Sequence, residues 1–192
     1  GHSDHARPGN RQVLATPGTL AIMQSRLGDQ AGQSRQALPY GERLQIGDVA
    51  VTLVPAGHVL GSAQVVLEHG GSRVVVSGDY KRRFDPTCPP FEVVNCDVFI
   101  TEATFALPVF RHPPDQHEVA KLLHSLAVFP ERAHAVGVYA LGKCQRLICL
   151  LRRAGHDRPI WIHGALQEMC DLYRTQGIDL GELRPASGAD RE

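Results

Sequence analysis

Short runs of apolar residues separated by turn-forming residues mark the first half of the chain. The β-branched run at residues 49–54 is typical of a buried strand, and two further strand candidates follow at residues 64–68 and 73–77. The Gly70-Gly71 pair lies between these two candidates and indicates a hairpin. The pattern therefore predicts a sheet built largely from neighbouring antiparallel strands.

The pattern changes after Pro113-Pro114, where strand and helix candidates alternate with short links. Val119, Leu122, Leu123 and Leu126 fall on one face of a helix that begins at an Asp115 N-cap and ends near Phe129. Such alternation is typical of a parallel α/β layer. The other predicted elements are a helix from Thr16 to about Gly28, a turn at 41–47, a buried strand at 96–101, a strand at 135–139, a helix at 143–154, a strand at 159–162 and a helix at 166–176.

Composition narrows the class of protein only slightly. Lys and Arg together number 20 and so do Asp and Glu, so the overall charge does not indicate non-specific coating of DNA. No run of about 18 apolar residues is present, and we expect no membrane span. The 5 cysteines include no CxxC pair, which argues against a disulfide framework and a thiolate zinc site. Reduced thiols favour a cytoplasmic location.

Four predicted strands are each followed closely by a histidine or a carboxylate. These residues are His58, Asp79, Glu102 and His163. In open α/β sheets, sites are built at the carboxyl ends of the strands, because the loops there are held by a rigid scaffold. Taken singly, each residue has a structural explanation: a hydrogen-bonded histidine, a turn-forming aspartate or a solvated glutamate. Their recurrence favours a functional site.

The first five residues contain three further candidate metal ligands, His2, Asp4 and His5. Imidazole nitrogens and carboxylate oxygens suit zinc or manganese. Asp4 and His5 are adjacent and can serve one ion while His2 faces another, and a carboxylate such as Asp79 can bridge the two. Two ions about 3.5–4 Å apart stabilise both the entering and the leaving oxygen in phosphoester cleavage.

The order of these motifs resembles the metallo-β-lactamase superfamily. HxDH at the start, then GHxxGS from Gly57, then SGDY from Ser77 follow the superfamily pattern, except that the first His of HxHxDH would lie one residue before Gly1. "ITEATFALPVFRHP" and "IWIHGA" resemble two signatures of the β-CASP branch, which contains nucleases acting on DNA or RNA. The longer stretches most resemble the bacterial ligase-associated DNA exonucleases, over nearly the entire chain.

The resemblance implies an α/β protein in two parts. Residues 1–107 would form the N-terminal part of a metallo-β-lactamase αββα sandwich, and residues 108–192 part of a β-CASP α/β insertion domain. Because the first motif His, a third β-CASP signature His and the later lactamase strands are missing, we expect a fragment that binds metal weakly. The alternative is a degenerate, non-catalytic relative.

The resemblance also implies a ligand set for two divalent ions, with Zn²⁺ favoured over Mn²⁺. His2 and His58 would bind one ion, Asp4 and His5 the second, and Asp79 would bridge them. The parent protein would be a nuclease in which a metal-bridging hydroxide attacks a phosphodiester of DNA. It would work with a DNA ligase in repair. An RNA-processing nuclease and a non-catalytic binding module remain as alternatives.

The same resemblance implies roles for four more residues. Glu102 would orient a metal-binding imidazole, and His163 would contact the scissile phosphate. Lys143, at a predicted helix start, and Lys81 would contact the nucleic-acid backbone. A solvated lysine is an equally good interpretation of both.

Overall fold

The computed structural model describes His2 and residues 6–186, which fall into two compact units, Gly1–Ala103 and Thr104–Glu192. The boundary predicted from the sequence lies four residues further along the chain. The assignment of the units to a lactamase and a β-CASP domain stays a prediction. The elements of the first unit are β1 (Val13–Ala15), α1 (Pro17–Leu27), a 3₁₀ turn (Gly28–Ala31), β2 (Arg35–Ala37), β3 (Arg43–Ile46), β4 (Val49–Pro55), β5 (Ala63–His69), β6 (Ser72–Val76) and β7 (Val98–Ile100).

Five strands of the first unit form one sheet in the order β3-β4-β5-β6-β7. The pairs from β3 to β6 are antiparallel, as the hairpin signals predict, and β6 pairs with β7 in parallel. Consequently β4, β6 and β7 run in the same direction. Their carboxyl ends meet at one edge of the sheet.

The sheet carries apolar side chains on both faces. One cluster contains Leu38, Val51 and Leu53, with Leu14 of β1 packed against it; Leu38 directly follows β2, which pairs in parallel with β1. The opposite cluster contains Val54, Val66 and Val75, together with part of the loop that precedes β7. Burial on both faces explains why β4 is an almost continuous apolar run instead of an alternating one.

Helix α1 begins and ends as the sequence predicts. The Thr16 side chain accepts a hydrogen bond from the Thr19 amide at 3.2 Å, Pro17 occupies the first turn, and Gly28 has a φ of 52° at the end of the helix. Ile22 and Met23 are among the buried residues of the helix. The cap places the N-terminus of α1 at a defined position in the unit.

The second unit contains α2 (Asp115–Val128), α3 (Lys143–Arg153), β8 (Ile160–Ile162), α4 (Gly164–Thr175) and β9 (Leu183–Pro185). β8 and β9 pair in parallel with α4 between them, which makes a βαβ unit. An ion pair of 2.5 Å between Arg146 Nη2 and Asp115 Oδ2 joins α3 to α2. Among the described residues, no helix is both long and apolar enough to cross a membrane.

Several elements differ from the sequence expectations. Strand β3 lies inside the predicted turn at 41–47. β7 is shorter than predicted, and its side chains are 45–54% exposed. Residues 135–139 contain no strand, and their apolar side chains Val136 and Tyr139 are 49% and 71% exposed. Pro114, not Asp115, precedes the first turn of α2.

Pairing partners explain these differences. Arg43–Ile46 is polar but pairs along its whole length with β4, so a distant partner decides its conformation. Residues 135–139 have strand propensity without a paired neighbour in the described part of their unit. A mixed α/β protein is confirmed. The four-layer αββα arrangement stays a prediction.

Candidate metal centre

His2, His58 and Asp79 converge at the edge of the sheet where β4 and β6 end. The Nε2 atoms of the two histidines lie 2.7 Å apart. Asp79 Oδ2 is 3.6 Å from Nε2 of His2 and 3.9 Å from Nε2 of His58. Both imidazoles are about two-thirds buried, with exposures of 33% and 29%, whereas the Asp79 side chain is 56% exposed. One side of the cluster is therefore open to solvent.

The strand ends place two of these side chains as the sequence predicts. His58 is the third residue after β4, and Asp79 is the third residue after β6. Since β4 and β6 run parallel with only β5 between them, the two loops leave the sheet side by side.

Ser62 holds the loop that carries His58. Its Oγ accepts hydrogen bonds from the His58 amide at 3.0 Å and the Val59 amide at 3.1 Å. Its backbone carbonyl accepts the Tyr40 hydroxyl at 2.8 Å and the Ala56 amide at 3.1 Å. Ser62 is 3% exposed, so these bonds are shielded from water. The spacing of His and Ser in GHxxGS is what allows this closure.

The same loop is attached to the start of helix α1. The Gly61 carbonyl accepts the hydroxyls of Thr16 at 2.6 Å and Thr19 at 2.7 Å. Gly61 has a φ of +73°, and a Cβ there would lie 2.3 Å from the Thr19 amide nitrogen. Gly18 in turn approaches Gly61 so closely that its own added Cβ would be 3.1 Å from the Gly61 Cα. The contact requires glycine at position 61 and leaves little room for a side chain at position 18.

Ser77 organises the loop that carries Asp79. Its amide donates to the Ile100 carbonyl at 2.9 Å, and its hydroxyl donates to the Gly78 carbonyl at 2.7 Å. The Glu102 amide lies 3.4 Å from Ser77 Oγ. Glu102 is thus placed at the end of β7 next to the Asp79 loop, at the shared sheet edge. Its role in orienting an imidazole stays a prediction.

His2 reaches the cluster from the start of the chain. The Arg26 guanidinium, in the last turn of α1, donates to the His2 carbonyl at 2.5 Å. Asp4 and His5, the ligands predicted for a second ion, lie outside the described residues. The second ion therefore remains a prediction.

Burial lowers the pKa of His58, and the neighbouring His2 and Lys81 lower it further, while Asp79 acts in the opposite direction. A lowered pKa favours the neutral imidazole at neutral pH. The neutral ring is the form that binds a metal ion.

The three residues fit a divalent ion. Two imidazole nitrogens and a carboxylate oxygen are a donor set that zinc or manganese accepts. All three ligand atoms lie within 4.8 Å of one another. Nitrogens held about 2.0–2.1 Å from a tetrahedral zinc would be roughly 3.3 Å apart. The two imidazoles would therefore need to separate by only about half an ångström.

The predicted site residues of the second unit have local contacts. His163 is exposed and caps α4, because its Nδ1 accepts the Ala165 amide at 3.1 Å. Lys143 is exposed at the start of α3, with its Nζ 4.6 Å from the centre of the Tyr139 ring. Their predicted contacts with nucleic acid stay predictions.

Lys81, in the first unit, differs from Lys143. Its Nζ donates to the Asp85 carboxylate and, at 3.1 Å, to the His58 carbonyl. Its side chain is 22% exposed.

Sequence reasoning singled out the candidate ligands but missed the residues that hold their loops. The sequence indicated Thr16 and Thr19 only as part of a helix cap. It indicated Ser62 only as the last residue of the GHxxGS motif. Asp85, which is 2% exposed, gave no signal, because its partner Lys81 was expected to contact the nucleic-acid backbone or solvent. An acidic residue four positions after a lysine in a predicted loop is too common a pattern to indicate a buried ion pair.

Comparisons with known proteins identify the family to which the chain belongs. No protein-family model matches the chain. Over 186 residues the chain is 36% identical to an Opitutus terrae protein named "Probable DNA ligase", covering 92% of this chain and 17% of that protein. It is 32% identical over 146 residues to an "Uncharacterized protein in lig 3'region" of Acidianus ambivalens, covering 73% and 99%. The Endoribonuclease ysh1 of Aspergillus fumigatus is 35% identical over 119 residues, covering 59% and 13%.

The chain belongs to the β-CASP branch of the metallo-β-lactamase superfamily. It spans nearly the whole length of the Acidianus relative but less than a fifth of the Opitutus and Aspergillus relatives.

Proposed function

We propose that the protein is a metal-dependent nuclease that hydrolyses phosphodiester bonds with two divalent ions, Zn²⁺ in preference to Mn²⁺. The observation that carries the proposal is the convergence of His2, His58 and Asp79 from three distant parts of the chain within 4.8 Å. A structural role does not require two imidazoles, each about two-thirds buried, with their Nε2 atoms facing each other and a carboxylate beside them. A metal-binding role does.

The residues of the chain divide the work as follows. His2, His58 and Asp79 would hold one ion, and Asp79 would share the second with Asp4 and His5. Divalent ions supply Lewis-acid activation of water and stabilise charge on the phosphate oxygens. The exposed side of Asp79 leaves room for a phosphodiester at the cluster. Glu102 would fix the orientation of an imidazole at the same edge.

DNA is the substrate that we propose, in an exonuclease reaction that works together with a DNA ligase in repair. Support comes from the names of two relatives, "Probable DNA ligase" and "Uncharacterized protein in lig 3'region", which both refer to a ligase. Within this proposal, Lys143 and His163 of the second unit contact the backbone and the scissile phosphate, and the protein acts in the cytoplasm.

An RNA-processing nuclease is the second candidate. Its support is the similarity to proteins named endoribonuclease in Aspergillus fumigatus and, at 34% identity, in Gibberella zeae. A non-catalytic nucleic-acid-binding relative is the third candidate.

The deciding experiment incubates the full-length protein with matched single-stranded DNA and RNA oligonucleotides and Zn²⁺ or Mn²⁺. We expect degradation of DNA, and a loss of roughly 100-fold or more in rate for Asp79→Asn, because the neutral amide no longer holds the ions. The control is Asp48→Asn, an exposed aspartate at the opposite end of β4. Faster degradation of RNA would support the second candidate.

Metal analysis separates the enzyme from the binding module. We expect bound metal in the wild-type protein, and we expect removal of all metal to abolish degradation. Nucleic-acid binding without metal and without degradation would contradict the proposal. Activity that survives both metal removal and Asp79→Asn would contradict it as well.

A further inference from the structure

Lys81 joins the two loops that carry the candidate ligands His58 and Asp79. It lies two residues after Asp79, and its ammonium donates at 3.1 Å to the backbone carbonyl of His58. Its own amide donates to the Ala56 carbonyl at 3.0 Å. A single residue therefore bonds the start of the His58 loop through both its backbone and its side chain.

Asp85 holds the ammonium of Lys81 in this position. The Asp85 carboxylate pairs with Lys81 through Oδ2 and accepts the Thr87 amide at 2.9 Å and the Thr87 hydroxyl at 2.6 Å through Oδ1. Asp85 and Thr87 are 2% and 0% exposed. A charged pair shielded from water in this way has little freedom to move, and charge-assisted hydrogen bonds are strong in such surroundings.

The backbones of the two loops also touch. Gly57, which precedes His58, has a φ of +69°, and a Cβ added there would be 2.4 Å from the Lys81 carbonyl oxygen. The separation between the His58 and Asp79 loops thus depends on both the backbone and the side chain of Lys81.

We infer that Lys81 is a positioning residue of the metal centre, which uses the Lys81–Asp85 ion pair to set the spacing between His58 and Asp79, and that it does not contact nucleic acid. The inference rests on the proposed metal-dependent function. It replaces the expectation from the sequence that Lys81 binds the substrate backbone. Two of the three N–H donors of the ammonium bond the Asp85 carboxylate and the His58 carbonyl, and moving the ammonium outward to a phosphate would break both bonds.

The neighbouring Arg82 provides a matched control. Arg82 is exposed, lies on the same segment and carries the same charge as Lys81. Arg82→Met and Lys81→Met each replace a long cationic side chain with the same uncharged one. Because Lys81→Met alone takes this cation away from the buried Asp85 carboxylate, the variant to compare is the double substitution Lys81→Met with Asp85→Asn. The double variant removes both charges and leaves an amide oxygen for Thr87.

The first measurement is amide hydrogen exchange of the 192-residue chain without metal. In the double variant we expect the amides of His58 and Val59 to exchange about tenfold faster than in the wild type, because their loop has lost its bond to Lys81. Exchange in β5 and β6 should not change, and Arg82→Met should match the wild type. Unchanged exchange at His58 in the double variant would overturn the inference.

The second measurement is titration with Co²⁺, followed by its visible absorption. We expect the double variant to bind Co²⁺ about tenfold more weakly than Arg82→Met, in the range found when partners of metal ligands are removed. An ion pair with only a structural role would lower the urea midpoint and leave Co²⁺ affinity unchanged, which would contradict the inference. If the wild type bound no Co²⁺, the proposed metal centre would fail, while the exchange result would still decide whether Lys81 holds the His58 loop.

The third measurement is the salt dependence of oligonucleotide binding by the full-length protein. Loss of one phosphate contact reduces the slope of log K against log salt by about 1. We expect the same slope for the wild type and the double variant. A reduction by about 1 in the double variant would show that Lys81 contacts the nucleic-acid backbone and would overturn the inference.

Discussion

His58 in the first unit and His163 in the second unit follow strands in the same way, yet their surroundings differ. The His58 loop is bonded to residues far away in the sequence, among them Thr16, Tyr40 and Lys81. The His163 side chain is exposed and accepts a hydrogen bond from the amide of Ala165, two residues further on. The His58 loop is thus held by tertiary contacts, whereas the hydrogen bond of His163 is local to the start of α4.

The difference shows what distinguishes a built site from a coincidence of pattern. Both histidines end an apolar strand, so the pattern alone assigns them equal weight. The His58 loop additionally requires Gly57 and Gly61 at positive φ, with neighbours so close that no side chain fits. Glycine lowers the stability of a folded protein, because it loses more conformational freedom on folding than other residues. It is retained where two backbones must approach closely.

Gly61→Ala tests this difference with the largest expected effect. The new Cβ would lie 2.3 Å from the Thr19 amide nitrogen, 2.7 Å from the Gly18 carbonyl carbon and 2.8 Å from Thr16 Oγ1. Two of these atoms belong to the backbone at the start of α1 and cannot rotate away. The substitution also forces alanine into the left-handed region, and we expect a loss of roughly 3 kcal/mol or more in the free energy of unfolding. Urea denaturation measures it.

Gly70→Ala is the matched control for the backbone contribution. Gly70 has a φ of +55°, but a Cβ there meets nothing within 4 Å. We expect a loss of about 1 kcal/mol for this variant, from conformation alone. Equal losses in the two variants would show that the contact between the His58 loop and α1 contributes nothing beyond backbone strain.

The sequence predicts this part of the fold well, because local signals and distant contacts agree there. Thr16, Pro17 and Gly28 indicate the limits of α1, and the Gly70-Gly71 pair indicates the hairpin of β5 and β6. Agreement between local propensity and the final structure is typical of such segments. His58 and Asp79 were predicted to meet for the same reason, since both follow strands that run in one direction.

The sequence predicts less where a partner decides the structure. Strand β3 is polar and forms only because it pairs with β4, and the apolar residues 135–139 form no strand among the described residues. The Lys81–Asp85 ion pair was missed because burial, which makes it significant, cannot be read from a loop sequence. Local sequence patterns indicate propensity, whereas these features depend on tertiary contacts of the folded protein.

Tyr40→Phe tests whether the hydrogen bond from Tyr40 to Ser62 stabilises the His58 loop, through the pH dependence of stability. Burial, followed by the charge of Cys88, raises the pKa of Tyr40 from 10.0 to about 12. A tyrosine whose pKa is raised on folding stabilises the folded protein fully below pH 10, and this stabilisation is lost as the pH rises from about 10 to 12. We expect the wild type to lose about 1–2 kcal/mol across this window, after allowance for partial exposure, as the phenol that donates to Ser62 ionises.

The measurement is urea denaturation between pH 9 and pH 11.5. Tyr40→Phe should lack this part of the pH dependence, although it starts from a lower stability because the bond to Ser62 is gone. Tyr139→Phe, at a side chain that is 71% exposed, is the control and should keep the pH dependence of the wild type. Parallel curves for the wild type and Tyr40→Phe would show that the Tyr40 hydroxyl does not hold the loop.

His163 gives the smallest expected effect on stability and the sharpest test of the comparison between the two histidines. Its Nδ1 accepts the Ala165 amide, so His163→Ala removes the cap of α4, and we expect a loss of about 1 kcal/mol in the free energy of unfolding. His163→Ser restores a capping oxygen and should recover most of that stability. The rate of oligonucleotide degradation by the full-length protein then separates the two roles, because serine can cap a helix but cannot replace an imidazole at a phosphate. A rate that recovers with stability in His163→Ser would assign His163 to the helix alone, whereas a rate that stays low in both variants would assign it to the reaction.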